Sequence, residues 1–66
     1  MKTLKLWIAR DKDDGMLFLH ELEPIRDDPW GFFMSNGKTW DIDEALFPEV
    51  TWENSPQQVE LKLIEE

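Results

Sequence analysis

Asp11-x-Asp13-Asp14-Gly15 is the nearest this sequence comes to a metal-binding spacing, since alternate carboxylates and a glycine bend are how a calcium loop surrounds a hard cation. The details depart from such a loop. Glycine stands fifth rather than sixth, the twelfth position falls on Leu22, and the flanks alternate like strands rather than helices. The stretch reads as a hairpin turn, and no metal site is assigned. His20 is the lone histidine, and a general base needs a nucleophile, an acid or a metal assembled around it. It reads as a half-buried strand histidine among Leu4, Leu6, Phe18 and Leu22. Asp27-Asp28 and Asp41-x-Asp43-Glu44 have the residue types of an acid/base pair, but they fall where turns and caps are expected and read as solvated. A phosphate loop, a Ser/His/Asp order and an HExxH helix are all missing from the sequence. The expectation is a non-enzymatic protein with no catalytic residue and no cofactor.

What remains is aromatic and acidic. The 66 residues include four tryptophans, four phenylalanines and no cysteine, with a net charge of -8. A chain this short is near the limit at which a hydrophobic core alone holds a fold. With neither disulfide nor thiolate metal site available, Trp7, Trp30, Trp40 and Trp52 must supply much of the buried area. Residues 1–12 carry Lys2, Lys5, Arg10 and Lys12 against Asp11, a balance of +3, while the rest carries -11. A basic first strand is therefore expected to lie beside acidic neighbours. The composition disfavours direct nucleic-acid binding, which needs a basic surface. Short apolar runs broken by charges lead us to expect neither a signal peptide nor a membrane span. The lack of cysteine fits a cytoplasmic location.

Residues 4–10 alternate strictly, with Leu4, Leu6 and Ile8 on one face and Lys5, Trp7 and Ala9 on the other, which is strand periodicity. With 16–22 across the acidic turn they predict a hairpin in which Arg10 faces Met16, Ile8 faces Phe18, Leu6 faces His20 and Lys5 faces Glu21. That register gathers Trp7, Ala9, Leu17 and Leu19 on the second face. Pro24 and Pro29 mark 23–29 as a loop. Asn36-Gly37 between two aromatic runs predicts a two-residue type I′ hairpin with Phe33 opposite Trp40. Asp43 to Phe47 has the composition of a single helical turn ended by Pro48. Val59, Leu61 and Leu63 alternate with Glu60 and Lys62 as a last half-buried strand beside strand 1, with Lys2 and Lys5 near its acids. The prediction is one domain over 1–66. It is mainly β (a β-rich α+β arrangement): an antiparallel sheet of four to five strands built from two hairpins and a C-terminal strand, with at most one short helical turn.

Leu6-Trp7-Ile8-Ala9-Arg10-Asp11, then Phe47-Pro48-Glu49-Val50-Thr51-Trp52-Glu53 and Pro56-x-x-Val59-x-Leu61, resemble short uncharacterised reading frames of gut bacteria and their phages. The resemblance covers both ends of the chain and implies a bacterial or phage cytoplasmic context. It carries no activity and no functional residue. The function expected from the residues is protein interaction through aromatic side chains on a sheet face or along a strand edge. Trp7, Leu17, Leu19 and Trp30 are the candidate partner-binding residues, with either another protein or a second copy of the chain as the occupant. The competing expectation is an acidic inhibitor whose carboxylates imitate nucleic-acid phosphates in the groove of a nuclease or DNA-binding protein.

Overall fold

The computed structural model describes residues 3–62 as six β-strands without a helix. They are β1 (Thr3–Arg10), β2 (Leu17–His20), β3 (Ile25–Asp27), β4 (Phe32–Met34), β5 (Thr39–Ile42) and β6 (Gln57–Lys62). Four form an antiparallel sheet in the order β5-β2-β1-β6, and β3 and β4 form a separate two-stranded sheet. The mainly β expectation holds: the first expected hairpin forms as β1-β2 and the C-terminal strand as β6, while the second hairpin of the structure is β3-β4 rather than the one expected across Asn36-Gly37. No helix among the described residues is long and apolar enough to cross a membrane.

The first hairpin forms one residue out of the expected register. Arg10 faces Leu17, Ala9 faces Phe18, Ile8 faces Leu19 and Trp7 faces His20. The cause is the turn: the Asp11 amide donates to the Met16 carbonyl at 2.9 Å, so Asp11 belongs to the ladder and the loop is one residue shorter than its composition suggests. Gly15 supplies the positive φ of +73° that closes it. A slip of one residue moves every side chain of a strand to the other face. Leu17 and Leu19 consequently lie with Leu6 and Ile8, while Phe18 and His20 lie with Trp7 and Ala9.

Three further expectations are corrected. Asn36-Gly37 makes no type I′ hairpin: neither residue has positive φ, β5 pairs with β2, and β4 pairs with β3. Gly37 is needed for close approach instead, because a Cβ there would stand 2.9 Å from both Glu21 Oε1 and Leu22 Cγ. The 23–29 stretch contains β3, with Pro24 ahead of the strand and Pro29 in the following turn, where neither removes a ladder donor. Trp30 sits in that turn. At Asp43 the chain makes a capped turn, with the Ala45 amide donating to Asp43 Oδ1 at 2.9 Å, and no helix follows. The pairing of β6 with β1 is as expected: Lys5 faces Glu60, Leu6 faces Val59 and Leu4 faces Leu61. Lys2, Leu63 and the terminal acids lie outside the described residues.

Both faces of the sheet are used. On one, Ile8, Leu17 and Val50 form a buried cluster with Leu19, Ile42 and Val59 packed against it. On the other, Ala9, Phe33 and Trp52 form a second cluster, with the Phe33 and Trp52 rings 5.1 Å apart and tilted by 55°. The irregular segment 43–56 supplies Val50 to the first cluster and Trp52 to the second, and two arginines hold it. Arg10 donates from Nε to the Val50 carbonyl (2.6 Å) and from Nη1 to Gly15 (2.8 Å) and Glu44 (3.0 Å). Its Nη2 donates to Leu46 (3.1 Å) and Phe47 (3.2 Å). Arg26 donates to the carbonyls of Trp52 and Ser55 and lies over the Trp52 ring, 4.4 Å from its centroid. The basic first strand thus places Arg10 among backbone oxygens rather than opposite an acid.

Arg10→Met keeps most of the aliphatic length and removes every guanidinium donor. We expect it to cost about 2–3 kcal/mol in urea unfolding, the scale of lost charge-assisted hydrogen bonds. Native-state hydrogen exchange should speed up first at Leu46 and Val50, while the β1-β2 ladder keeps its protection.

Candidate functional site

The sheet face bearing Leu6, Ile8 and Leu19 is incompletely covered. Residues 46–50 lie over its centre, and between them and the strands runs a trough of about 460 Å³. Leu6, Ile8, Leu19, Ile42 and Val59 line it from the sheet, and Leu46, Phe47 and Val50 from the segment above. Around it the chain leaves large apolar side chains in solvent: Leu4 is 54% exposed and Leu61 59%, with Trp40, Leu46 and Phe47 also exposed. Trp40 shares this face because it pairs with Leu19.

Strand lengths explain why the far end is bare. β2 pairs only with residues 7–10 of β1, whereas β6 pairs with residues 3–8. Beyond His20, therefore, residues 3–6 and 59–62 run on as a two-stranded ribbon with Leu4 opposite Leu61. An isolated two-stranded ribbon is marginal in water. Among the described residues, β6 has one sheet neighbour along its length, so its outer edge is free to accept another strand.

Phe47 marks the trough's upper wall. Its φ is 49°, the one positive value outside glycine among the described residues, and for a bulky residue this region is costly. The Arg10 guanidinium holds its carbonyl, and the Val50 amide donates to the same oxygen at 2.9 Å. The strained position is thus over-determined by the backbone around it, with the ring half in solvent.

The four residues expected to bind a partner are not brought together. Leu17 is fully buried in the first cluster, and Leu19 is half-buried beside it on the trough face. Trp7 is half-buried on the opposite face with Ala9, Phe18 and His20. Trp30 stands apart in the β3-β4 turn, 70% exposed. Leu4, Trp40, Leu46, Phe47 and Leu61 on this face, and Leu22, Ile25 and Met34 elsewhere, are exposed apolar residues that sequence reasoning passed over. Alternation identified the face of Leu4 and Leu61, but nothing local reveals where its cover stops.

His20 is only 3% exposed. Its Nδ1 lies 3.4 Å from Ser35 Oγ, and Nε2 has no hydrogen-bond partner among the described residues. Burial pushes the imidazole below its ordinary range, toward the neutral form. With Asp11, Phe18, Phe32, Phe33 and Thr39 it lines a shallow depression on the second face. Burial pushes the Asp11 carboxyl up, the Phe33 amide it accepts from opposes that rise, and Asp14 and Asp13 add to it. Asp14 Oδ1 in turn accepts the Met16 amide. These carboxylates hold turns, and Nε2 is too enclosed to reach a substrate.

Searches against known protein families, curated proteins and solved structures find no match to this chain.

A pH dependence of stability follows from His20. Its folded pKa lies below the unfolded value of 6.5, so the unfolded chain takes up the proton first and stability falls as pH drops below 6.5. We expect a slope approaching about 1.4 kcal/mol per pH unit at most. Urea midpoints measured between pH 7.5 and about 5.5, a range above the ordinary carboxylate pKa values, should show it. His20→Phe should flatten it, and an unchanged slope in that variant would assign the effect elsewhere.

Proposed function

We propose that this chain is a small, non-enzymatic protein-interaction module that docks another protein on the trough face of its sheet. The observation that carries the reading is the apolar rim, Leu4, Trp40, Leu46, Phe47 and Leu61, left in solvent around a floor already lined by buried side chains. Small monomeric proteins seldom leave such surface uncovered unless it meets a partner. The free edge of β6 beside the trough adds main-chain donors and acceptors, the means by which a sheet takes up an extended segment. Strain at Phe47 fits the same reading, since residues in costly backbone conformations gather at ligand clamps. Of the polar trough residues, Glu49, Gln57 and Glu60, the two carboxylates are exposed to solvent and have no further catalytic group assembled beside them in the trough. Their chemistry favours binding over catalysis.

The test is capture from a lysate of the native host by the immobilised protein, read by mass spectrometry, alongside three variants. Leu61→Lys and Phe47→Ser should each abolish recovery of a stoichiometric partner. For Leu61→Lys, an exposed site, we expect unfolding stability to change by no more than about 0.5 kcal/mol. Trp30→Ser should leave recovery intact. Retention of the partner by Leu61→Lys with its loss in Trp30→Ser would move the interface to the β3-β4 turn and reject the trough.

A further inference from the structure

The free edge of β6 is a feature apart from the trough, and the spacing along β6 itself indicates what pairs with it. Leu61 stands opposite Leu4 on the trough face, while Glu60 stands opposite Lys5 and Lys62 opposite Thr3 on the other. Glu60 and Lys62 therefore lie two residues apart on one face of the edge strand, with Leu61 between them on the other, and all three are exposed. Opposite charges on either side of an apolar residue make a strand complementary to itself run backwards. Residues 3–6 and 59–62 also lack a third strand, which an apolar sheet needs to stand in water.

The possible registers of one β6 against another differ in quality. In an antiparallel pair about a two-fold axis perpendicular to the sheet, like faces lie on the same side. Centring the axis on Glu60 sets that carboxylate against itself, and centring it on Gln58 or Val59 sets Gln57 opposite an apolar residue. Centring it on Leu61 sets Leu61 opposite itself and Glu60 opposite Lys62 of the second copy, twice by symmetry.

We infer that the outer edge of β6 is a dimer interface, at which β6 strands of two copies pair antiparallel about Leu61 and join the two four-stranded sheets into one. The trough face then carries Leu4, Leu61 and their two counterparts in one row across the junction. On the other face Lys5, Glu60 and Lys62 of the second copy follow one another with alternating sign. The net charge of -8 opposes association, but much of it lies away from this junction. The 11–15 turn follows the end of β1 remote from Leu4, and Asp41, Asp43 and Glu44 lie on or after β5, the opposite edge of the sheet. Exposed charges separated by more than about 10 Å are largely screened at ordinary salt. Pairing at the edge does not use Trp40, Leu46 or Phe47, so the dimer presents two troughs on one face of a continuous sheet.

Sedimentation of the full chain at concentrations up to about 1 mM tests this. The native protein should reach the dimer mass, and Lys62→Glu or Glu60→Lys alone should each raise the dissociation constant about tenfold or more. Mixed in equal amounts, those two variants should pair with each other, since every lysine at the junction again faces an acid while both chains stay net negative. The chain has no cysteine of its own, so on oxidation Leu61→Cys should cross-link to itself and Gln57→Cys should not. A chain that remains monomeric throughout overturns the inference, as does undiminished pairing by Lys62→Glu, a mixture that fails to pair, or cross-linking at Gln57→Cys in place of Leu61→Cys. Leu61→Lys should lose pairing as well as partner capture, and Phe47→Ser separates the two: it should lose capture and still dimerise. Loss of the dimer in folded Phe47→Ser would put the trough itself between the copies and reject the edge. Sedimentation needs no partner protein, so edge pairing and trough docking fail independently.

Discussion

The guanidinium of Arg10 is the constraint on which most of this fold depends. Residues 43–56 have no regular secondary structure, yet they deliver Val50 to one face of the sheet and Trp52 to the other. A segment without a ladder or a helix must still satisfy its backbone oxygens. Arg10 takes those of Glu44, Leu46, Phe47 and Val50, and Arg26 takes those of Trp52 and Ser55. Ser55 completes the join: its Oγ accepts the Arg10 amide at 3.0 Å and donates to the Thr51 carbonyl. The segment is thereby fixed around the end of β1, with an apolar plug on each side. A planar, permanently charged fork suits this work better than a lysine ammonium, because several carbonyls must be met from one fixed position.

Local signals in the sequence were sound where the structure is local. Alternation over residues 4–10 and around Val59 located β1 and β6, and the opposed charges of Lys5 and Glu60 do lie across one ladder. The register of the first hairpin was legible only to one residue, since composition does not tell whether Asp11 joins the turn or the strand. Asn36-Gly37 misled for a different reason. A glycine selected for close packing against Glu21 and Leu22 looks identical in sequence to one selected for positive φ. Arg10 was read as a partner for acids because sequence shows side-chain charges but not which backbone oxygens a distant loop will offer. The exposed apolar face around the trough was the least legible part. Leu4 and Leu61 look like core on any strand pattern, and their exposure depends on where residues 46–50 stop covering the sheet.

The chain crosses from β4 to β5 beside the point where the pairing of β2 with β1 stops. To reach the sheet, residues 35–38 pass against Glu21 and Leu22, so closely that Gly37 has no room for a side chain. The Glu21 amide donates to the Lys38 carbonyl at 2.8 Å, and Glu21 Oε1 accepts the Lys38 amide at 3.3 Å. These bonds carry the pairing of β2 with β5 on to residue 21, whereas the pairing of β2 with β1 runs no further than His20 opposite Trp7. Residues 3–6 have β6 as their one sheet neighbour among the described residues. Leu4 and Leu61 stand opposite each other on that ribbon, past the stretch that residues 46–50 cover. Gly37→Val would force the crossing away from Glu21 and Leu22 and so act on β2, although Gly37 lies outside the trough lining.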